Sequence, residues 1–328
     1  MIFPYPSYLP YCTVRTRMTS PTQYNVAVLG AGTAGLAAAI YAARYNLSTV
    51  VFDMGYGRST WFQKFSNYVG FTDGIDALKL RDVGKEQAEK LGVEIRSEDS
   101  VEKIDEGDPF VLHGKKSKAK ATCVILATGI EDVFPVFDGF ESFVGRSMYW
   151  CVLCDGHYVN GKRVLVVANK DDGVDLCLRL RVFTDKLTFL AEDLSRISDD
   201  ELAKIRAEGI LIIEGTIAAA EAKEKGKFKA VEIAKSDGSK LRLETDAVFH
   251  RLGIDPYNQV AKHLGLKLDE RGLVVVNPQT QETSMERVYA AGDGATGHLH
   301  QVHAATYTGS RAAISAFKRW YEQKYDVR

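Results

Sequence analysis

The sequence predicts an α/β protein made of two Rossmann-like, three-layer dinucleotide-binding domains, the second inserted into the first. Three observations carry this. The apolar run YNVAVLG (24–30) reads as a buried strand, and a glycine turn leads from it into the helical AGLAAAIYAARY and a second strand, STVVFD, completing a βαβ unit. A second unit of the same order starts at GKRVLVVA (161–168), runs through a helix near 171–182 and returns as LTFLAED (187–193). Late in the chain, VYAAGD (288–293) ends a strand with a Gly-Asp pair, which a split first domain needs to complete its ligand site.

The remaining elements follow in order. Residues 75–91 have helical spacing, and 101–127 read as short strands ending in TCVILATG. VFHRLG (248–253) closes the second unit, GLVVVN and VYAAGD follow, and a helix occupies about 303–323. The first domain is therefore expected at 23–130 plus 255–328, with the second at 131–254. Residues 1–22, rich in Pro, Tyr and hydroxyl side chains, stand apart as an extension. They lack the apolar core of a secretory signal. They read either as an Arg-bearing, acid-free transit leader or as sequence upstream of a start at Met18.

Composition excludes several classes. A chain of 328 residues with 45% hydrophobic and 26% charged residues has the make-up of a folded two-domain protein. A net charge of −1 gives none of the basic footprint that nucleic acid requires. No run approaches the roughly 18 apolar residues of a membrane span. Five cysteines with one close pair fit a reducing cytoplasm better than a disulfide-stapled secreted fold.

Gly30, Gly32 and Gly35 form G-x-G-x-x-G between strand and helix. The first glycine makes the tight turn, the second admits a pyrophosphate to the backbone, and the third lets the helix pack on the strand. The helix N-terminus then offers free N–H groups to the phosphates. Asp53 ends the next strand, where a carboxylate accepts hydrogen bonds from ribose hydroxyls.

Cys151-Val-Leu-Cys154 followed by Asp155 is a C-x-x-C whose two thiols can close and exchange a disulfide. His157 extends it to C-x2-C-x2-H, a zinc-like spacing, but no second ligand pair completes the usual four, and no metal is expected. Cys123 and Cys177 lie in apolar stretches and read as buried small hydrophobes.

From about Tyr24 to Tyr321 the chain resembles the low-molecular-weight thioredoxin reductase family. The matching pieces are the glycine fingerprint, SNYVGFTDGI (66–75), ATG (127–129), CVLCDG (151–156) and AAGD followed by HQV. The resemblance implies an FAD site in the first domain and an NAD(P)-type fold in the second. It places FAD against Gly30, Ala31, Gly32, Thr33, Ala34 and Gly35, and against Asp53, Ala127, Thr128, Gly129 and Gly292. Asp293 would bond the ribityl chain, Gln301 and Val302 would present backbone groups to the ring, and Asn67 would line the pocket. Cys154 would face the flavin, Cys151 would attack the substrate disulfide, and Asp155 would act as acid–base group. A thioredoxin-like partner and a homodimer are implied in the same way.

The second unit departs from the family. Its turn reads Ala168-Asn169-Lys170-Asp171-Asp172-Gly173, with Ala168 and Lys170 where the first two fingerprint glycines belong. After the next strand come Ala191-Glu192-Asp193 instead of the basic residues that hold the 2′-phosphate of NADPH. Like charges about 6 Å apart repel by roughly 2–3 kcal/mol at an effective dielectric near 20. NADPH is therefore not expected, and NADH is disfavoured.

Pyridine-nucleotide-independent relatives include ferredoxin-linked reductases. The drop from about −400 mV for ferredoxin to about −270 mV for thioredoxin releases roughly 6 kcal/mol for two electrons. Alternatives stay open. DMGYGRSTWFQKFSNYVGF resembles the dithiol-oxidase branch that passes electrons to oxygen. A second flavin covered by Trp61 or Trp150 is another alternative, and a non-enzymatic flavin sensor a third. His298, His300 and His303 read either as proton donors to the ring or as helix-start residues.

Overall fold

The computed structural model describes residues 23–297 and 299–326; the 1–22 extension and His298 lie outside them. The chain divides into two compact units. The first holds residues up to Gly57, Leu80–Gly129 and Pro256 onward, and the second holds Arg58–Lys79 and Ile130–Asp255.

The first unit opens with β1 (Tyr24–Leu29), α1 (Thr33–Arg44) and β2 (Thr49–Asp53). After an excursion through the short hairpin β3 (Lys64–Phe65) and β4 (Ile75–Asp76), it resumes in α2 (Ala77–Lys90). The strands β5 (Glu94–Ser97), β6 (Val101–Asp105), β7 (Phe110–Gly114) and β8 (Lys118–Leu126) complete its first pass. The second unit then runs β9 (Ile130–Asp132), β10 (Met148–Tyr149), α3 (Val152–Asp155), β11 (Val164–Ala168), α4 (Asp172–Leu180) and β12 (Leu187–Ala191). It continues as α5 (Asp199–Ala207), β13 (Leu211–Glu224), β14 (Lys227–Lys235), β15 (Lys240–Glu244), β16 (Ala247–Arg251) and β17 (Ile254–Pro256). The chain closes with α6 (Gln259–His263), β18 (Val288–Ala290) and α7 (Val302–Tyr325).

The first sheet has the order β5-β2-β1-β8-β7-β6, with β18 on the far half of β8. Its central pairs are parallel, and β6-β7-β8 is an antiparallel flank. A parallel strand is covered on both faces, so β1 is apolar and buried without a break from Val26 to Leu29. Ala27 and Leu29 enter one core with Val50, Phe52 and Leu126, while Val26 and Val28 enter the other with Ala38, Ala39 and Ala312. Small residues let α1 and α7 approach closely. A Cβ at Gly309 would stand 2.0 Å from the Ala34 carbonyl oxygen.

The second sheet has the order β10-β16-β11-β12-β13-β14-β15. It is parallel from β10 to the start of β13, then turns into an antiparallel meander. Gly215 marks the switch within β13, where its φ of +151° and a Cβ position 2.4 Å from the Ala234 oxygen exclude a side chain. Val164, Val166 and Ala168 pack under α4 and α5, while Leu165 and Val167 join an aromatic core with Phe143, Trp150 and Phe228.

The sequence expectation kept residues 58–79 in the first domain; here they group with the second unit, against which a few of their side chains pack. Arg58 forms a two-point ion pair with Asp132 (2.6 and 3.1 Å), Trp61 packs on Phe134, and Phe62 packs on Trp150 with ring centroids 4.8 Å apart.

Candidate active site

In the first unit, three turns converge at the C-terminal ends of β1, β8 and β18, the usual ligand edge of a parallel sheet. Gly30 adopts φ +106°, and a Cβ there would stand 2.3 Å from the Ala127 oxygen, so only glycine fits. A Cβ at Gly35 would stand 1.8 Å from the Gly30 oxygen, which explains the third fingerprint glycine as a packing requirement. A Cβ at Gly32 would meet nothing within 4 Å. Gly32 also caps α1 without a side chain, and no acidic residue follows in the first turn. An open side, uncapped amides and no competing carboxylate fit a pyrophosphate group.

The turn 127–129 and the turn at 292–294 close against each other, with a Gly294 Cβ position 3.1 Å from the Gly129 oxygen. The N–H of Gly292 donates to Thr308 Oγ1 of α7, which fixes Asp293 beside the turn. Gln301 caps α7 and Val302 is its first residue. His303 is exposed, and His298 lies outside the described residues.

Asp53 ends β2 at 2% exposure, but its carboxylate already carries four hydrogen bonds. Arg81 donates to both oxygens (2.9 and 2.7 Å), Lys85 Nζ to Oδ2 at 2.6 Å, and the Gly55 N–H to Oδ1 at 3.1 Å. Burial works against its ionisation, yet the bonds from Lys85, Gly55 and Arg81 outweigh burial and hold the carboxyl below its ordinary range. A ribose hydroxyl would have to displace one of these donors. Arg81 and Lys85 went unnoticed in sequence, although their four-residue spacing puts them on one helix face.

In the second unit, Cys151 and Cys154 form a disulfide across α3, with Cα atoms 5.3 Å apart. The backbone N–H of Cys154 donates to Cys151 Sγ at 3.2 Å, and Asn67 Nδ2 lies 3.9 Å from Cys154 Sγ. Asp155 follows directly, its carboxyl pushed up to about 7 by burial. Gly156 is required by packing, since a Cβ there would stand 2.5 Å from the Phe183 ring. Among the described residues, no group of three His, Cys, Asp or Glu is placed to hold a metal. Cys123 and Cys177 are buried thiols, pushed up to about 12 chiefly by that burial.

Trp150 is 6% exposed and packs against Phe62, Phe134 and His250, while Trp61 packs on Phe134. Trp150 is thus a core residue, and Trp61 is partly buried against the same cluster. His250 sits in the same cluster, and burial pulls its imidazole down to about 3.

The second dinucleotide-type turn joins β11 to α4. A Cβ at Gly173 would stand 2.0 Å from the Ala168 Cβ, so Gly173 performs the packing task that Gly35 performs in the first unit. Asn169 is spent within the protein. Its Oδ1 accepts from the Glu192 N–H (2.9 Å), and its Nδ2 faces the Glu192 carboxylate at 3.4 Å. Asp171 accepts from the Ser198 N–H, and Asp172 and Asp175 occupy the first turn of α4.

Comparison with known proteins agrees with this geometry. Residues 24–309 match the pyridine nucleotide-disulphide oxidoreductase family. Thioredoxin reductase of Bacillus subtilis is 31% identical over 304 residues, covering 91% of this chain and 95% of the relative. That of Mycolicibacterium smegmatis is 30% identical over 93% of this chain and 99% of its own. Among solved structures, thioredoxin reductase from Streptococcus pyogenes superposes with a TM-score of 0.86 at 26% identity, covering 92% of this chain and 99% of that one. The Giardia duodenalis enzyme gives 0.83 at 28% identity, with the same coverage of both chains. These findings displace the sensor alternative. The chain belongs to the pyridine nucleotide-disulphide oxidoreductases and, within them, to the low-molecular-weight thioredoxin reductase family, as an FAD-dependent disulfide oxidoreductase.

Proposed function

We propose that the enzyme reduces a protein disulfide, that of a thioredoxin, through Cys151 and Cys154, and that its electrons come from a donor other than NADPH. The names of its relatives support the partner. FAD, when bound, supplies the two-electron centre that keeps the cysteine pair reduced. The residues that would hold it are Gly30–Gly35 with the α1 amides, Ala127–Gly129, Gly292, Asp293, Gln301 and Val302, with Asp53 at the end of β2; the family resemblance adds Asn67, which lies beside Cys154 Sγ.

Local geometry supports distinct roles for the two sulfurs. A backbone N–H aimed at Cys151 Sγ favours its thiolate, the form that attacks a disulfide. Asp155, with a carboxyl near neutrality, is suited to give a proton to a leaving thiolate and take one back.

The observation that carries the donor reading is the second turn. Ala168 and Lys170 replace the glycines that admit a pyrophosphate, Asn169 and Asp171 are tied up internally, and Glu192 and Asp193 follow β12. A low-potential one-electron carrier of the ferredoxin kind is the donor we infer. An anaerobic titration tests this by following the oxidised flavin absorption. Neither NADPH nor NADH should bleach it, while dithionite and reduced ferredoxin should. Prompt bleaching by NADPH overturns the reading.

The segment 53–71, similar to the dithiol-oxidase branch, favours a second reading in which dithiols are oxidised and oxygen reduced. Dithiol-dependent oxygen uptake checks it. Cys151→Ser should abolish turnover in either direction.

A homodimer and a cytoplasmic setting complete the proposal. Tyr307, Ile314 and Tyr321 are exposed one heptad apart on α7, a face suited to a second copy. No helix among the described residues is long and apolar enough to cross a membrane. Light scattering checks the mass.

A further inference from the structure

A cavity of about 400 Å³ opens within the second unit, and Asp155 forms part of its wall. Its lining carries six cations, Lys64, Arg146, Lys162, Lys223, Lys225 and Lys227, against three carboxylates, Asp155, Glu224 and Asp246. The carboxylates do not cancel that charge. Asp246 is committed to Arg163 and Lys223, and burial pushes the Asp155 carboxyl up to about 7, which leaves Glu224 as the lining carboxylate set against the other five cations. Lys64, Arg146, Lys162 and Lys225 have no carboxylate within ion-pair distance among the described residues, and Lys227 Nζ bonds only the Arg146 carbonyl, at 2.9 Å. The whole chain carries a net charge of −1, so this concentration of positive charge is local and not a property of the whole protein. Tyr149 and Tyr158 add aromatic wall. The volume lies in the range of small-molecule sites.

One peptide bond links this cavity to the redox pair, because Asp155 follows Cys154 directly. We infer that the cavity binds the anionic tail of a low-molecular-weight disulfide, making carboxylate- or phosphate-bearing small disulfides a second substrate class of the Cys151/Cys154 centre.

The inference rests on the disulfide-oxidoreductase reading of that pair. In the step it implies, the Cys151 thiolate, its proton released to solvent, attacks one sulfur of R–S–S–R. The S–S bond breaks, and the first RS⁻ takes the proton of Asp155. Cys154 then gives its proton to the Asp155 carboxylate and closes on Cys151 Sγ, expelling the second RS⁻, which is protonated from solvent. The ligand gains two electrons as two thiols, and the pair becomes the disulfide seen here. The enzyme's own flavin-dependent reduction of that disulfide resets it.

The test is anaerobic single-turnover reoxidation of the reduced holoenzyme by three disulfides. Glutathione disulfide is anionic, hydroxyethyl disulfide neutral and cystamine cationic, and each rate is normalised to the reaction of the same disulfide with dithiothreitol. Glutathione disulfide should be favoured over hydroxyethyl disulfide by about tenfold at low ionic strength, falling with added salt. Arg146→Glu and Lys162→Glu should each bring that ratio toward one. Lys262→Glu, in the first unit, should leave it unchanged. Equal normalised rates for all three disulfides in the unaltered enzyme would overturn the inference and leave the oxidoreductase reading standing. No reaction with any of the three would overturn the inference as well, and reoxidation of the reduced enzyme by an oxidised thioredoxin then tests the protein-disulfide reading separately.

Discussion

The two strand-turn-helix units of this chain are one architecture with two outcomes. Both keep the close approach of helix to strand, through Gly35 over Gly30 in the first and Gly173 over Ala168 in the second. They differ at the position that faces outward. Gly32 leaves open space before an uncapped helix, whereas Lys170 stands at the equivalent place, beside Asn169 and Asp171, which are already bonded to the next loops. The glycine on which the helix packs has been kept in both, whereas the open glycine position, Gly32, occurs in only one. Retention of a fold is therefore no evidence that its ligand is retained.

Gly35→Ala should break the first turn most severely. The added methyl meets a backbone oxygen that cannot step aside, so flavin content per chain should fall below half, and turnover with it. Absorbance of the purified protein measures this. Asp155→Asn comes next, with an expected loss of about 10²-fold in disulfide turnover. With its carboxyl near 7, the proton that Asp155 donates is present below that pH and lost above it, so the unaltered enzyme should slow as pH rises through 7. The asparagine variant should lack that inflection. The same raised carboxyl also makes folding less favourable as pH rises from about 4 to 7, because the native state binds the extra proton in that window.

Gly173→Ala sharpens the comparison. It should cost about 1–3 kcal/mol of stability by overpacking α4 on β11, yet leave flavin content unchanged. Asn169→Ala is the mildest, at about 1 kcal/mol, since it removes the bond to the Glu192 N–H at a partly exposed site. Denaturant melts measure both.

What the sequence revealed and what it concealed divide along the same physical line. The glycine turns, the Cys151/Cys154 pair and the burial of Cys123 and Cys177 depend on neighbours a few residues away or on a continuous apolar run, and all were legible. The attachment of 58–79 depends on Arg58 reaching Asp132 across 74 residues and on Trp61 and Phe62 finding Phe134 and Trp150. Nothing local in that segment announces such partners. Asp53 is intermediate. Its place at a strand end was readable, but its capture by Arg81 and Lys85 depends on how α2 docks. The β13–β15 meander was also missed, although KFKA alternates polar and apolar as a strand buried on one face should.

The excursion at 58–79 has a practical consequence for dissecting the molecule. Because the backbone passes between the units after Gly57, Lys79, Gly129 and Asp255, neither unit corresponds to a single cut from the gene. A truncation that removes only 130–255 would strip Trp61 of Phe134 and Phe62 of Trp150, and leave Arg58 without Asp132. A soluble first unit therefore calls for two deletions, each bridged by a short flexible linker.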